Sequence, residues 1–241
     1  MNSYSAKHHT IESTDGVQLR AILWKHMQSN NDLRSGPQGG SPCIVFVHQW
    51  SKMGGNAALM HGMAQRISAM GYNAVTFDMR GVRQSSGRST LGGYAEIDDV
   101  VSVSRWASEH LGQKVVLVAS SAGASTGGSA LDRDDCIVGA VLIGYTFGFW
   151  ASMIFGRHFK HILSSSKHKL FIIGTRDEFT GMGTYNKYYD RCREPKSKIV
   201  IEGGGHFEIE QPRYDQFMVE AVVNFINNEN LHFRSDHMFD T

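Results

Sequence analysis

The chain has 241 residues, enough for one α/β domain with a full core. Its 41% hydrophobic and 20% charged residues, with a formal net charge of +1, give a globular composition and no bulk attraction to nucleic acid or an anionic membrane. The 3 cysteines form neither a paired framework nor a CxxC, no apolar run is long enough to span a bilayer, and Met1 to Thr10 has no apolar signal segment.

The expectation is therefore a soluble, cytoplasmic protein with no membrane insertion, disulfide scaffold or zinc site. His9 to Ser13 and Val17 to Trp24 flank Asp15-Gly16, a hairpin-turn signal, and predict two antiparallel strands. Residues 27–42 carry Ser, Asn, Gly, Pro and Gln with few apolar side chains, which predicts a mobile surface loop inside a single domain. Cys43 to His48 is an apolar run of the kind that forms a strand buried on both faces. Gly54 to Met70 carries a helical stripe (Leu59, Met60, Met63, Ala64, Ile67) that Gly71 stops. A strand at Ala74 to Phe77 precedes a helix at Tyr94 to Leu111, which Gly112 closes.

Further along, strands are predicted from Val115, at Ile137 to Ile143, at Leu170 to Ile173 and at Lys198 to Ile201. Helices are predicted from Ala122 to about Leu131, at Gly181 to Arg191 and at Tyr214 to Asn227, with residues 231–241 as a flexible tail. Strands alternating with helices predict an α/β fold: a mostly parallel eight-stranded sheet with an antiparallel N-terminal hairpin, flanked by helices.

The organising stretch is Val115 to Gly123, Val-Val-Leu-Val-Ala-Ser-Ser-Ala-Gly. A buried strand that runs straight into small residues reads as a nucleophile elbow, where a strained turn lifts one side chain above the sheet edge. The backbone doubles back there, so the residues two before and two after the nucleophile must be small. Ser121 meets that demand with Ala119 and Gly123. Ser120 would put the β-branched Val118 into the turn, so Ser121 is the candidate nucleophile.

In parallel sheets the chemistry collects at the carboxyl ends of strands. The strand at Leu170 to Ile173 leads into Gly174-Thr175-Arg176-Asp177-Glu178-Phe179, and the strand at Lys198 to Ile201 leads into Glu202-Gly203-Gly204-Gly205-His206-Phe207. The order Ser121, Asp177, His206 is that of nucleophile-elbow hydrolases. An imidazole titrates near neutrality, so His206 suits both general-base and general-acid work. Asp177 is the preferred orienting acid, with Glu178 as its rival. Asp78 and Arg80, at another strand end, read as loop braces through charge-assisted hydrogen bonds.

With these motifs, together with His48-Gln49-Trp50 and Phe77-Asp78-Met79-Arg80-Gly81, the chain resembles the α/β-hydrolase superfamily from His48 to the last helix. It looks nearest to small plant-type members and compact esterase-like branches. The resemblance implies a serine hydrolase that cleaves a carboxylic ester of small or apolar groups through an acyl-enzyme, with no cofactor and no metal. One oxyanion donor is the backbone N–H of Ala122, after the nucleophile. The resemblance places the second at Trp50. Gln49 stands where the family has glycine, and its side chain either adds a donor or narrows the site.

The short span 144–169 stands where relatives insert a cap, so no large cap domain is expected. Gln49, Tyr145, Phe147, Trp150 and Phe179 are the candidate substrate-binding residues, and a small-molecule ester is the expected partner. A thioesterase or acyltransferase would use the same triad, and a non-catalytic receptor or interaction module on the same fold is the reading from another class.

Overall fold

A computed structural model of the chain describes residues 4–27, 40–49, 51–90, 92–148 and 159–227. Its eight strands are β1 (Tyr4–Glu12), β2 (Gln18–His26), β3 (Cys43–Val47), β4 (Ala74–Phe77), β5 (Val115–Ser120), β6 (Ile137–Ile143), β7 (His168–Gly174) and β8 (Lys196–Ile201). They form one sheet in the order β1-β2-β4-β3-β5-β6-β7-β8. β1 and β2 pair antiparallel, β2 runs antiparallel to β4, and every later pair is parallel.

The burial of the strands follows from their sequences. β3, β4 and β5 are unbroken apolar or small-residue runs, and each is buried along its whole length. β1, at the sheet edge, carries the polar sequence YSAKHHTIE and is mostly exposed or half-buried. Alternation with period 2 divides the core in two. Val45, Leu117, Ala140, Leu142 and Phe171 face the layer built by α2 (Tyr94–Leu111), α3 (Ala122–Ala130) and α5 (Met182–Arg191). Ile44, Phe46, Val118, Val141 and Ile172 face α1 (His61–Ala69) and α6 (Asp215–Ile226). A short α4 (Phe159–Ser164) precedes β7.

Several boundaries differ from those expected. The helix expected from Gly54 begins at His61, after two short 3₁₀ turns at Ser51–Met53 and Ala57–Met60. Two side chains end the loop before it: Asn56 accepts the Ala58 N–H, and the Asp78 carboxylate accepts the Ala57 N–H at 2.8 Å. Satisfying those donors locally competes with a regular helix start. β1 is longer than its apolar pattern because β2 supplies partners as far as the Tyr4–His26 pair. Of the loop expected at 27–42, residues 28–39 lie outside the described residues, as does the tail at 231–241. Between Ile143 and His168 the chain is too short for a cap domain, and residues 149–158 of that span lie outside the described residues. Among the described residues, no helix is long and apolar enough to cross a membrane.

Candidate active site

The elbow forms where β5 meets α3. Ser121 has φ 55° and ψ −124°, a region costly for a side-chain-bearing residue, and the surrounding packing holds it there. Its N–H is tied to the Ile143 carbonyl at 2.8 Å, which anchors the turn to the neighbouring strand β6. Gly123 is required by close approach. A Cβ there would lie 2.3 Å from the His48 carbonyl oxygen and 2.6 Å from that of Val47. The α3 N-terminus thus presses on the end of β3, and Ala122, its first residue, presents a backbone N–H that no helical carbonyl can reach.

The loops after β7 and β8 bring the other two groups to the serine. Gly174 allows them to meet, since a Cβ there would sit 2.1 Å from the Gly204 carbonyl oxygen. Ser121 Oγ lies 2.8 Å from His206 Nε2, and His206 Nδ1 lies 2.6 Å from Asp177 Oδ2. The pattern assigns the ring proton to Nδ1, which donates to Asp177, and leaves Nε2 to accept the Ser121 hydroxyl proton. Asp177 is fixed in turn, its Oδ1 accepting the N–H groups of Phe179 (2.9 Å) and Thr180 (2.7 Å). Glu178, the rival acid, points elsewhere and accepts the backbone N–H of His206 at 2.7 Å. The His206 ring is fully buried, while Ser121 is half-buried.

The remaining candidates divide. Phe179 stands at the rim, its ring 4.6 Å from that of His206 and edge-on to it. Gln49, half-buried just past the end of β3, has its side-chain oxygen buried without a hydrogen-bond partner. Tyr145 and Phe147, expected on a pocket wall, are core residues instead, 1% and 2% exposed. Their rings lie 4.4 Å apart and pack on Phe171 of β7, because the turn after β6 directs both inward. Trp50 and Trp150 lie outside the described residues.

Several residues were not anticipated. Glu210 accepts the Ser120 hydroxyl, and burial pushes its carboxyl above the usual range despite that bond. A glutamate four residues beyond His206 has no motif to mark it, and it reads like any surface acid. A narrow cleft beside the elbow is lined by Ser51, Ser89, Thr90, Thr126, Ala122 and Gly123, scattered over two loops and a helix. His48 anchors its loop as a neutral imidazole, with its pKa lowered by burial. Its Nδ1–H donates to the Gln49 carbonyl at 2.6 Å, and its Nε2 accepts the Met79 N–H at 3.1 Å.

An elbow serine between β5 and α3, in a sheet of this strand order, is the arrangement of the α/β-hydrolase fold. Residues 15–130, which include the elbow, match the model of the X-Pro dipeptidyl-peptidase (S15) family. The uncharacterized protein YfhR of Salmonella typhi is 25% identical over 218 residues, covering 79% of this chain and 73% of that protein. An esterase of Pyrococcus furiosus, Pf2001, superposes with a TM-score of 0.74 at 17% identity, covering 94% of this chain and 93% of its own. XC6422 of Xanthomonas campestris, described as an α/β serine hydrolase without a lid, gives a TM-score of 0.71 at 18% identity, covering 93% and 94%.

Proposed function

We propose that the chain is a serine hydrolase that cleaves carboxylic esters through an acyl-enzyme on Ser121. The observation that carries this reading is the line of hydrogen bonds from Ser121 Oγ through His206 to Asp177, at 2.8 and 2.6 Å, launched from a strained elbow. His206 Nε2 takes the hydroxyl proton as Oγ attacks the ester carbonyl, and Asp177 holds the ring in the tautomer that leaves Nε2 free to do so. The developing oxyanion is met by the Ala122 N–H at the positive end of α3, with the second donor assigned to Trp50 in the loop after β3. His206 then returns the proton to the departing alcohol, and water repeats the sequence to release the acid.

The structural likeness to an esterase and a serine hydrolase supports this general class. The S15 match supports a second reading, cleavage of a peptide bond by the same three residues. A fluorophosphonate probe, with the modified peptide mapped by mass spectrometry, tests both together. Adduct on Ser121, lost in Ser121→Ala and slowed in His206→Ala, is the expected result. Parallel rates on a p-nitrophenyl ester and an X-Pro p-nitroanilide then separate the two. A folded protein with no adduct would move the assignment to a non-catalytic ligand-binding role.

A further inference from the structure

The geometry points to Phe179 and Phe207 as two walls of a leaving-group site that selects esters of aromatic or other bulky apolar alcohols. This inference rests on the reading of Ser121, His206 and Asp177 given above. Phe46, Phe77, Phe147 and Phe171 all lie in the core, at 2% exposure or less, whereas Phe179 and Phe207 are 47% and 51% exposed. The exposed pair meets edge to face, with centroids 5.5 Å apart and planes at 80°. Each ring also stands edge-on to the His206 imidazole, Phe179 at 4.6 Å and Phe207 at 5.5 Å.

Nothing local demands a phenyl ring at either place. Phe179 is held by its backbone N–H on Asp177 Oδ1, a bond almost any residue could make, and Phe207 simply follows His206 in a loop. Two half-exposed rings that touch each other and a buried imidazole form an apolar surface whose hydration is unfavourable until a ligand covers it.

The chemistry decides which part of the ester covers it. In the first step Ser121 Oγ bonds to the ester carbonyl carbon, the carbon–oxygen bond to the alcohol breaks, and the serine proton passes through His206 Nε2 to that alcohol oxygen. The departing oxygen must therefore come within hydrogen-bond reach of Nε2, and its substituent lies beside the imidazole that the two rings flank. The acyl part stays bonded to Ser121 and extends past Ala122 and Gly123. There the narrow cleft has a mixed lining of Met79, Ala122 and glycines with Ser51, Ser89, Thr90 and Thr126, and its one carboxylate, Glu96, is occupied by the Thr90 N–H and hydroxyl. The two exposed rings thus place their apolar preference on the alcohol.

The test uses the full chain and two pairs of esters. Ethyl and benzyl acetate share an acyl group and have alcohols of similar acidity, so their ratio of kcat/KM reads binding of the leaving group. Benzyl acetate is expected to be favoured about tenfold, and Phe207→Ala and Phe179→Ala each to lower that ratio by roughly threefold to tenfold. Phe207→Leu, which keeps apolar bulk without a ring, is expected to fall between.

Methyl acetate and methyl phenylacetate share methanol and vary the acyl group, and their ratio is expected to stay within about twofold in each variant. Equal use of benzyl and ethyl acetate by the unmodified protein, or a change in the acyl ratio instead, overturns the assignment. Fluorophosphonate labelling keeps the two failures apart. Adduct on Ser121 without a benzyl preference removes only the leaving-group site. Absence of adduct removes the catalytic reading beneath it.

Discussion

The two ends of strands β6 to β8 use buried polar groups in opposite ways. At the amino end, Lys169 is fully buried, and burial pulls its pKa below the ordinary lysine value. Its ammonium nevertheless has four backbone carbonyls around it, those of Ser165 (2.9 Å), Lys167 (3.0 Å), Arg193 (2.8 Å) and Pro195 (3.3 Å). Lys167 reaches the Leu131 and Asp134 carbonyls, and Lys196 those of Tyr189, Asp190 and Cys192. Each lysine closes carbonyls that the ends of α3, α5 and their loops leave open.

At the carboxyl end side-chain bonds join Ser121, His206 and Asp177, backbone N–H groups hold Asp177 and Glu178, and some polar groups are still left over. Ser121 is half-buried, the Gln49 side-chain oxygen is buried without a partner, and Glu210 is an acid held above its usual pKa. Saturation by backbone marks a structural cluster. Incomplete saturation around a strained serine marks one arranged for a substrate.

Ser121 separates the two ends most sharply. Ser121→Ala is expected to lower kcat/KM on a good ester by several decades, about 10³ to 10⁶, because the nucleophile is gone and only binding and the oxyanion site remain. Alanine is smaller than serine and fits the same elbow, so the melting temperature is expected to move by no more than about 2 °C. A large loss of stability, or a surviving ester rate, would mean that Ser121 belongs with the structural groups.

Gly123→Ala attacks the same end through the backbone. The added Cβ would meet the carbonyl oxygens of His48 and Val47 at 2.3 and 2.6 Å, and both belong to the end of β3 and its loop. Backbone cannot turn aside as a side chain can, so α3 must move away from the sheet. The expected cost is about 3 kcal/mol or more in urea unfolding, with Ser121 labelling lost in whatever remains folded. At the opposite end, Lys169→Met leaves four carbonyls without their donor and is expected to cost roughly 3 kcal/mol. Its ester rate per folded molecule is expected to match the unmodified chain, which denaturation curves and active-site titration check together.

How far the sequence could anticipate these two ends differs for physical reasons. The elbow was legible because a close turn admits only small residues, and Ala119, Ser121 and Gly123 supply them in a row. The meeting of Asp177 and His206 was legible from strand order, since each follows an apolar run that ends at the same sheet edge. Apolar runs and turn signals located every strand of the sheet, yet the start of α1 was missed. There the carboxylate of Asp78, 21 residues away, takes the Ala57 N–H, and no local pattern reports such a partner.

The aromatic run after β6 misled for a similar reason. Aromatic side chains look alike in sequence whether they face a cleft or a core, and the turn after Ile143 sends Tyr145 and Phe147 inward. Arg80 was read as a brace. The structure pairs its guanidinium with Asp99 through Nε at 2.9 Å and Nη2 at 2.6 Å, and with Asp15 through Nη1 at 2.7 Å.

Glu210 gives the smallest effect and the finest division between the two ends. Burial raises its carboxyl pKa, so the folded protein holds this proton to a higher pH than the unfolded chain, where a glutamate titrates near about 4.3. Its contribution to stability is then fully present below that unfolded value and is lost as pH rises through the folded one. Glu210→Gln keeps an acceptor for Ser120 and carries no charge, so the melting temperature of the unmodified protein relative to this variant is expected to fall as pH rises above about 4. His206 and Asp177, whose charges also reach Glu210, are present in both proteins and largely cancel in the difference. A flat difference would place Glu210 with Lys169, as a buried charge whose partners satisfy it. A falling one would show that the carboxyl end of the sheet retains an acid its own structure does not fully compensate, beside the serine it surrounds.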